Sequence, residues 1–279
     1  MIGESLWGAQ AWQIVLVVTL VLMACHEIGV QIRRRISHRS LKDLDAEGVG
    51  GSYMTASLSL LALLVAFSFG MAVDRYNTRR NLVLQEANAI ASAYRHLDTF
   101  DASTRAVAAR DLLDYLAARE AFSRAETLRQ LASAEKHSEA AERRLWSDAV
   151  HALASSQPSA RGSLEAIDRM FDVASSRRAA LEAVVPGLVL FGMLLYAAIA
   201  AVLMGYSHPI DRRFLVPSSV QFVLLAIALA LIVDLDRPRA GYVQVSQAPL
   251  LRTADSIRRA EAAEARRPAP PAAASSTPD

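Results

Sequence analysis

Hydrophobic positions follow two patterns along the chain. Residues 11–32, 51–73, 184–206 and 215–233 form almost continuous apolar runs. An α-helix rises 1.5 Å per residue, so about 20 apolar residues cross the hydrocarbon core of a bilayer. Each run therefore predicts a membrane-spanning helix. Between the second and third runs lie about 110 residues in which apolar and polar positions alternate with the helical period. Ala109, Leu112, Leu113 and Leu116 mark one such face, and Trp146, Ala149, Val150 and Leu153 a second. Leu164, Ile167 and Phe171 mark a third, with one position missing. Strand-like alternation is absent. Breaks are expected near 98–103 and 155–162, where "SSQPSARG" is loop-like, with Ser103 and Ser163 as candidate helix caps. The pattern predicts an all-α integral membrane protein, with four spans and an extramembrane bundle of three or four helices. The first and last bundle helices are expected to continue the second and third spans.

This layout divides the chain into a first transmembrane pair (1–73), a bundle (74–183), a second transmembrane pair (184–235) and a C-terminal region (236–279). The C-terminal region holds a motif, a charged helical stretch around 253–267 and a tail of Pro, Ala and Ser. The tail has too few large apolar groups to offset its ordering entropy and is expected to be disordered. The first run is read as a retained span rather than a secretion signal. No Lys or Arg precedes it, and Met23 stands where a lipoprotein cleavage site wants a small or β-branched residue. His26 and Glu27 near its end are expected at headgroup level.

Composition narrows the function classes. The 279 residues are 53% hydrophobic and 21% charged, and mean hydropathy is +0.22, as membrane spans joined to a polar region require. A net charge of only +2 argues against a nucleic-acid partner. Cys25 is the single cysteine, so no intrachain disulfide forms. Gly48 to Ser52, "GVGGS", lacks the Lys-Ser/Thr ending of a phosphate loop and reads as a flexible entry to the second span. His26-Glu27 lacks the second His of a helical zinc site, and His38, His96, His137, His151 and His208 stand singly. No nucleophile elbow or kinase motif is present. An enzyme is not expected, nor is a cofactor or a bound metal.

Two longer stretches carry a resemblance. "AFSFGMAVDRYNTRRNLVLQEANAIASAY" (66–94) and "IVDLDRPRAGYVQVSQAPLL" (232–251), with four spans and a helical insertion, resemble the bacterial bestrophin-like family (DUF4239). That family is distantly related to the bestrophins, which are pentameric anion channels. The resemblance implies a homo-oligomer, a pentamer if bestrophin-like, in the lipid bilayer of the bacterial inner membrane. It implies passage of chloride or other small anions, with the bundle and termini cytoplasmic. In bestrophins the second span lines the pore neck with apolar side chains one turn apart, and a neck Phe precedes Arg and an aromatic by eight residues. Phe67, Arg75 and Tyr76 match this spacing, which puts Leu63 and Ser59 at the other neck positions. Ser59 departs from the bulky apolar residue expected there. The acid-rich calcium clasp and the Asn-Pro-Phe-Gly run of animal bestrophins have no counterpart, so calcium gating of that type does not carry over.

Loop charges do not fix the orientation. The two short loops hold Arg33, Arg34, Arg35, Arg39, Lys42, Arg212 and Arg213, which the positive-inside rule assigns to the cytoplasm. Arg75, Arg79, Arg80, Arg177, Arg178, Arg237 and Arg239 balance them on the bundle side. The resemblance decides for a cytoplasmic bundle.

Helical geometry sharpens the pore candidates. At 100° per residue, Ser59, Leu63 and Phe67 lie within about 80° of one another on a stripe that also holds Gly70 and Asp74. Arg75 and Arg79 lie well off it, so they form no funnel for anions, and an ionised Asp74 opposes anion entry. Ala62, Ala66 and Gly70, small residues four apart, also offer a close helix-packing face. Asp234, Asp236, Arg237 and Arg239 follow the last span, where pairing with Arg75, Arg79 or Arg80 is expected. Glu86, Asn88 and Tyr94 are placed to meet the C-terminal motif. The sequence thus favours a bestrophin-like channel with Ser59, Leu63 and Phe67 lining its neck. Its interface set is Asp74, Arg75, Arg79, Arg80, Glu86, Asp234, Asp236 and Arg237. The alternative is a non-conducting membrane scaffold or sensor that presents the bundle to partners.

Overall fold

The computed structural model describes residues 11–37, 46–125, 127–154, 160–207, 215–237 and 241–266. Among these the regular structure is helical throughout. In chain order the elements are α1 (Ala11–Ser37), α2 (Ala46–His96), a 3₁₀ turn (Leu97–Thr99), α3 (Ala102–Arg124), α4 (Leu128–Ala154), α5 (Ala160–Glu182), α6 (Gly187–Ser207), α7 (Leu215–Asp236) and α8 (Ala248–Ala265). The expected Pro/Ala/Ser tail and positions 155–159 of the expected break lie outside the described residues. Contacts divide the chain into two compact units, one from the segments up to Arg79 and Ala180–Val245, the other from Arg80–Ala179 and the segment from Ser246 onward.

The first unit contains the apolar parts of four helices long enough to cross a membrane. On α1, Ile14, Val18, Leu22 and His26 recur every four residues as one buried stripe, and α1 packs along α6 and α7. His26 therefore faces protein, edge-on to the Phe222 ring at 5.8 Å. Glu27, one position on, is exposed. The stripe ends at Gly29, where α1 and α6 approach through their backbones. A methyl at Gly29 would sit 2.1 Å from the Val202 carbonyl oxygen, and one at Gly205 2.1 Å from that of His26. Only glycine fits at this crossing, because the obstacle is backbone and cannot rotate away. Arg33 Nη1 then donates to the Tyr206 carbonyl at 3.2 Å, which satisfies an acceptor left free in the last turn of α6. The outward faces carry Leu16, Val17, Leu20, Leu188, Phe191, Leu195, Val220 and Leu224, the apolar exterior that a lipid solvent favours.

The second unit is a helical bundle around Ile90, Ala93, Leu97, Leu112, Tyr115, Leu116, Leu145, Ile167 and Met170. Helix α3 packs against α4 and α8, and α8 buries Leu250, Ala254 and Ile257. The expected face on α4 is rotated by one position. Leu145 and Ala149 are buried while Trp146 and Val150 are exposed, because the alanines of this helix suit either face. Ser103 is not the cap of α3. Asp101 is, with Oδ1 accepting from the backbone N–H groups of Ser103 and Thr104 at 3.1 and 2.9 Å. Helix α4 opens on a reciprocal capping box, in which Thr127 N–H donates to Gln130 Oε1 and Gln130 N–H to Thr127 Oγ1, both at 3.2 Å. Ser163 lies inside α5, where its hydroxyl donates to the His96 carbonyl at 2.6 Å.

Two expectations about continuity part ways. Helix α2 runs unbroken over 51 residues, including Gly48 to Ser52, since adding one residue to a formed helix costs far less than starting one. Helices α5 and α6, in contrast, are separate: the backbone is non-helical at 183–186. Pro186 supplies the reason, because its ring disfavours helical geometry at Val185.

Candidate functional site

One face of α2 remains open within the first unit. Leu63 is 50% and Phe67 65% exposed, and Ser59, Gly70 and Asp74 on the same stripe are exposed as well. A methyl built on Gly70 meets nothing within 4 Å. The opposite face, Leu61, Ser68 and Ala72, is buried, with Ser68 Oγ 3.0 Å from the Met193 sulfur. Ala62 and Ala66 are also exposed, so the small residues do not seat a helix of the same unit.

The buried face of α2 leads to Arg79, seven residues beyond Ala72 and hence nearly eclipsed with it. Arg79 is 3% exposed and donates to four backbone carbonyls. Nε reaches Ala180 at 3.2 Å, Nη1 reaches Leu235 at 3.2 Å, and Nη2 reaches Ala183 and Asp236 at 3.0 and 2.8 Å. These acceptors lie in the last turns of α5 and α7 or just past them, where helices leave carbonyls without intrahelical partners. One planar guanidinium with five donors closes both ends. The Asp236 carboxylate, fully buried, holds the other half of the knot. Oδ1 accepts from Arg75 Nη1 at 3.1 Å and lies 3.8 Å from Arg79 Nη2, while Oδ2 accepts from the Val185 N–H at 2.7 Å.

Asp234, two residues earlier, does different work. Its oxygens accept from the N–H groups of Tyr242 and Val243 at 3.0 to 3.1 Å, folding the chain after α7 back over the helix end. Gly241, at φ +140°, permits the fold, and a Cβ there would lie 2.7 Å from Asp234 Oδ1. Arg237 is buried beside this turn, whereas Asp74 and Arg80 are exposed.

Glu86 belongs to the second unit and to a different cluster. Its carboxylate, fully buried, accepts from Arg119 Nε at 2.5 Å and from Arg177 Nη1, and Arg177 Nη2 donates to Gln247 Oε1 at 2.5 Å. Burial acts to raise the Glu86 pKa, but the two guanidinium groups outweigh it and hold the carboxyl below the usual range. Tyr94 donates to Glu261 at 2.7 Å, with Arg105 on the same carboxylate at 3.1 Å. Asn88 is exposed. Arg119 and Gln247 carry no signal in the orientation or interface patterns of the sequence, and Arg177 enters there only as one of the bundle-side charges. Arg119 does leave a trace there, as a charge on the apolar stripe of Leu112, Tyr115 and Leu116. Among the described residues, no group of three or more His, Cys, Asp or Glu is placed to hold a metal ion.

A bestrophin-like domain model matches residues 19–250, which include most of the first span, the other three spans and both clusters. The chain belongs to the bestrophin-like family. Solved structures show the same fold at low identity. Two single-substitution variants of a bacterial bestrophin homologue from Klebsiella pneumoniae match with TM-scores of 0.66 and 0.62, at 12% and 13% identity. The first comparison covers 91% of this chain and 97% of the other, the second 88% and 96%. A structure described as a membrane protein matches at 0.64 and 12% identity, covering 88% and 96%. No curated protein matches the chain. This bestrophin-like chain is an all-α membrane protein.

Proposed function

We propose that the chain is the subunit of a homo-oligomeric ion channel, pentameric if it follows the bestrophins, that passes chloride or other small anions. Ser59, Leu63 and Phe67 of α2 line its neck in this reading. The observation that supports it is the composition of the open face of α2. Leu63 and Phe67 are half or more exposed, yet they share their stripe with Ser59 and the charged Asp74, groups that a lipid-facing surface disfavours. Symmetric copies around an axis would turn that stripe toward water, with Leu63 and Phe67 as the narrow apolar section and Asp74 at its mouth. Arg75 and Arg79 are committed to Asp236 and to helix ends, so they contribute no positive lining. The family resemblance further supports a bacterial inner-membrane location with the bundle and termini cytoplasmic.

Cysteine labelling tests the lining. In a Cys25→Ser background, a charged thiol reagent applied to proteoliposomes is expected to lower chloride flux about tenfold or more at Ser59→Cys, Leu63→Cys and Phe67→Cys. Phe69→Cys, 200° around the helix from position 67, is expected to leave flux unchanged. Equal block at position 69, or none at the other three, would contradict the assignment.

A further inference from the structure

Helices α2 and α7 leave a hollow of about 420 Å³ between them on the outer surface of the membrane unit. Ala62, Ala66 and Phe69 of α2 and Gln221, Leu224 and Leu231 of α7 line it, and all six are exposed. Gln221 is the single polar side chain in that lining, and its carboxamide makes no hydrogen bond to a described residue. It lies six residues, about 9 Å, along a span that starts at Leu215. Lipid tails offer a carboxamide neither donor nor acceptor, so a polar group at this depth calls for a partner made of protein.

The angular position of the hollow identifies that partner. At 100° per residue, the stripe of Ser59, Leu63, Phe67, Gly70 and Asp74 has one flank, about 60–100° from its centre, that carries Ala62 and Ala66. The opposite flank, about 60–100° the other way, carries Leu60, Leu64 and Met71. These three are 47%, 36% and 42% exposed, so no helix of the same unit covers them. One flank is thus a ridge of large side chains and the other opens on a hollow. In a ring whose neck is lined by α2, both flanks point sideways at neighbouring copies, and the ridge of each meets the hollow of the next. Such a head-to-tail contact repeats identically at every junction and closes on itself.

We propose that the hollow between α2 and α7 seats α2 of a second copy of this chain, whose Leu60, Leu64 and Met71 fill it, and that Gln221 hydrogen-bonds across the junction. The inference rests on the ring reading above and adds the surfaces through which the copies meet. An acyl chain would suit the apolar lining. It would leave Gln221 unpaired, however, and the wall of the neck open between adjacent α2 helices.

Disulfide crosslinking of the full-length chain in proteoliposomes tests it, in a Cys25→Ser background. Positions 62 and 64 lie 200° apart on one helix, too far round for an intrachain disulfide, so Ala62→Cys with Leu64→Cys joins only different copies. Copper-phenanthroline oxidation is expected to give a ladder of bands up to the full ring. Ala62→Cys with Leu20→Cys, on the outward face of α1, is expected to give none. Ala66→Trp fills the hollow and is expected to shift the protein from oligomer to monomer with its helical circular dichroism retained. Gln221→Leu is expected to weaken association about threefold to tenfold, the range of one interhelical hydrogen bond in a membrane. An intact oligomer with no ladder, an equal ladder from the Leu20→Cys pair, or association unweakened in Gln221→Leu would overturn the inference. Should Ala66→Trp fail to fold, the cysteine ladder decides. Chloride flux separates the two readings: a conducting ring without the ladder removes this interface and keeps the channel, whereas a full ladder without flux keeps the interface and removes the channel.

Discussion

Arg79→Met is expected to destabilise the membrane unit by about 3–5 kcal/mol, the range found when one partner of a buried charged network is removed. The substitution keeps an unbranched apolar stem but removes every donor. Four carbonyls, at Ala180, Ala183, Leu235 and Asp236, then lose their partner at buried or partly buried helix ends. Asp236 keeps Arg75 and the Val185 N–H, which caps the loss below the sum of four separate orphaned groups. Arg79→Lys is expected to recover only part of the stability. An ammonium presents its donors from one point and cannot span acceptors on two helix ends as a planar fork does. Denaturant titration in detergent, read by circular dichroism and by the monodisperse fraction on gel filtration, checks both variants. A loss below about 1 kcal/mol for Arg79→Met, the scale of an exposed ion pair, would show that the knot is not a main support.

Glu86→Gln is expected to cost about as much, roughly 3–5 kcal/mol, for the opposite reason. Here the anion goes and two buried cations, Arg119 and Arg177, remain facing each other. The same carboxylate predicts a pH dependence. Its pKa is lower in the folded protein than the ordinary carboxylate value it takes when unfolded. The unfolded state therefore binds its proton first as pH falls. The contribution of Glu86 is complete at neutral pH, begins to fade near the ordinary carboxylate pKa of 4.5, and is lost as pH drops through the depressed folded value. Stability measured between pH 7 and pH 3 is expected to fall less steeply in Glu86→Gln than in the parent. Identical slopes in the two proteins would sink the assignment.

The reach of sequence reasoning follows from what each signal encodes. A bilayer demands about 20 apolar residues in a row, so the four spans stand out without any tertiary information. Helical period likewise marks Leu112, Leu116 and Ile167 as core. It fails by one position on α4, where Leu145 rather than Trp146 is inside, since a face flanked by alanines has no sharp edge. Asp101 wins the cap of α3 over Ser103 because its carboxylate reaches two N–H groups while Ser103 is already inside the first turn. The Arg75 and Arg79 to Asp236 pairing was foreseeable from charge, as both groups flank apolar runs at a membrane boundary. That Arg79 spends its donors on backbone carbonyls was not, because which helix ends meet is a property of the fold. Glu86 shows the same limit. Its partners lie 33 and 91 residues away, and no local period links such positions.

Conduction through a ring lined by α2 is the central claim, and reconstituted flux tests it most directly. The intact oligomer in liposomes, with subunit number fixed beforehand by mass measurement, is expected to pass chloride, and Phe67→Ala is expected to change the rate severalfold. An intact ring that passes neither chloride nor small cations, with Phe67→Ala no different, would contradict the account.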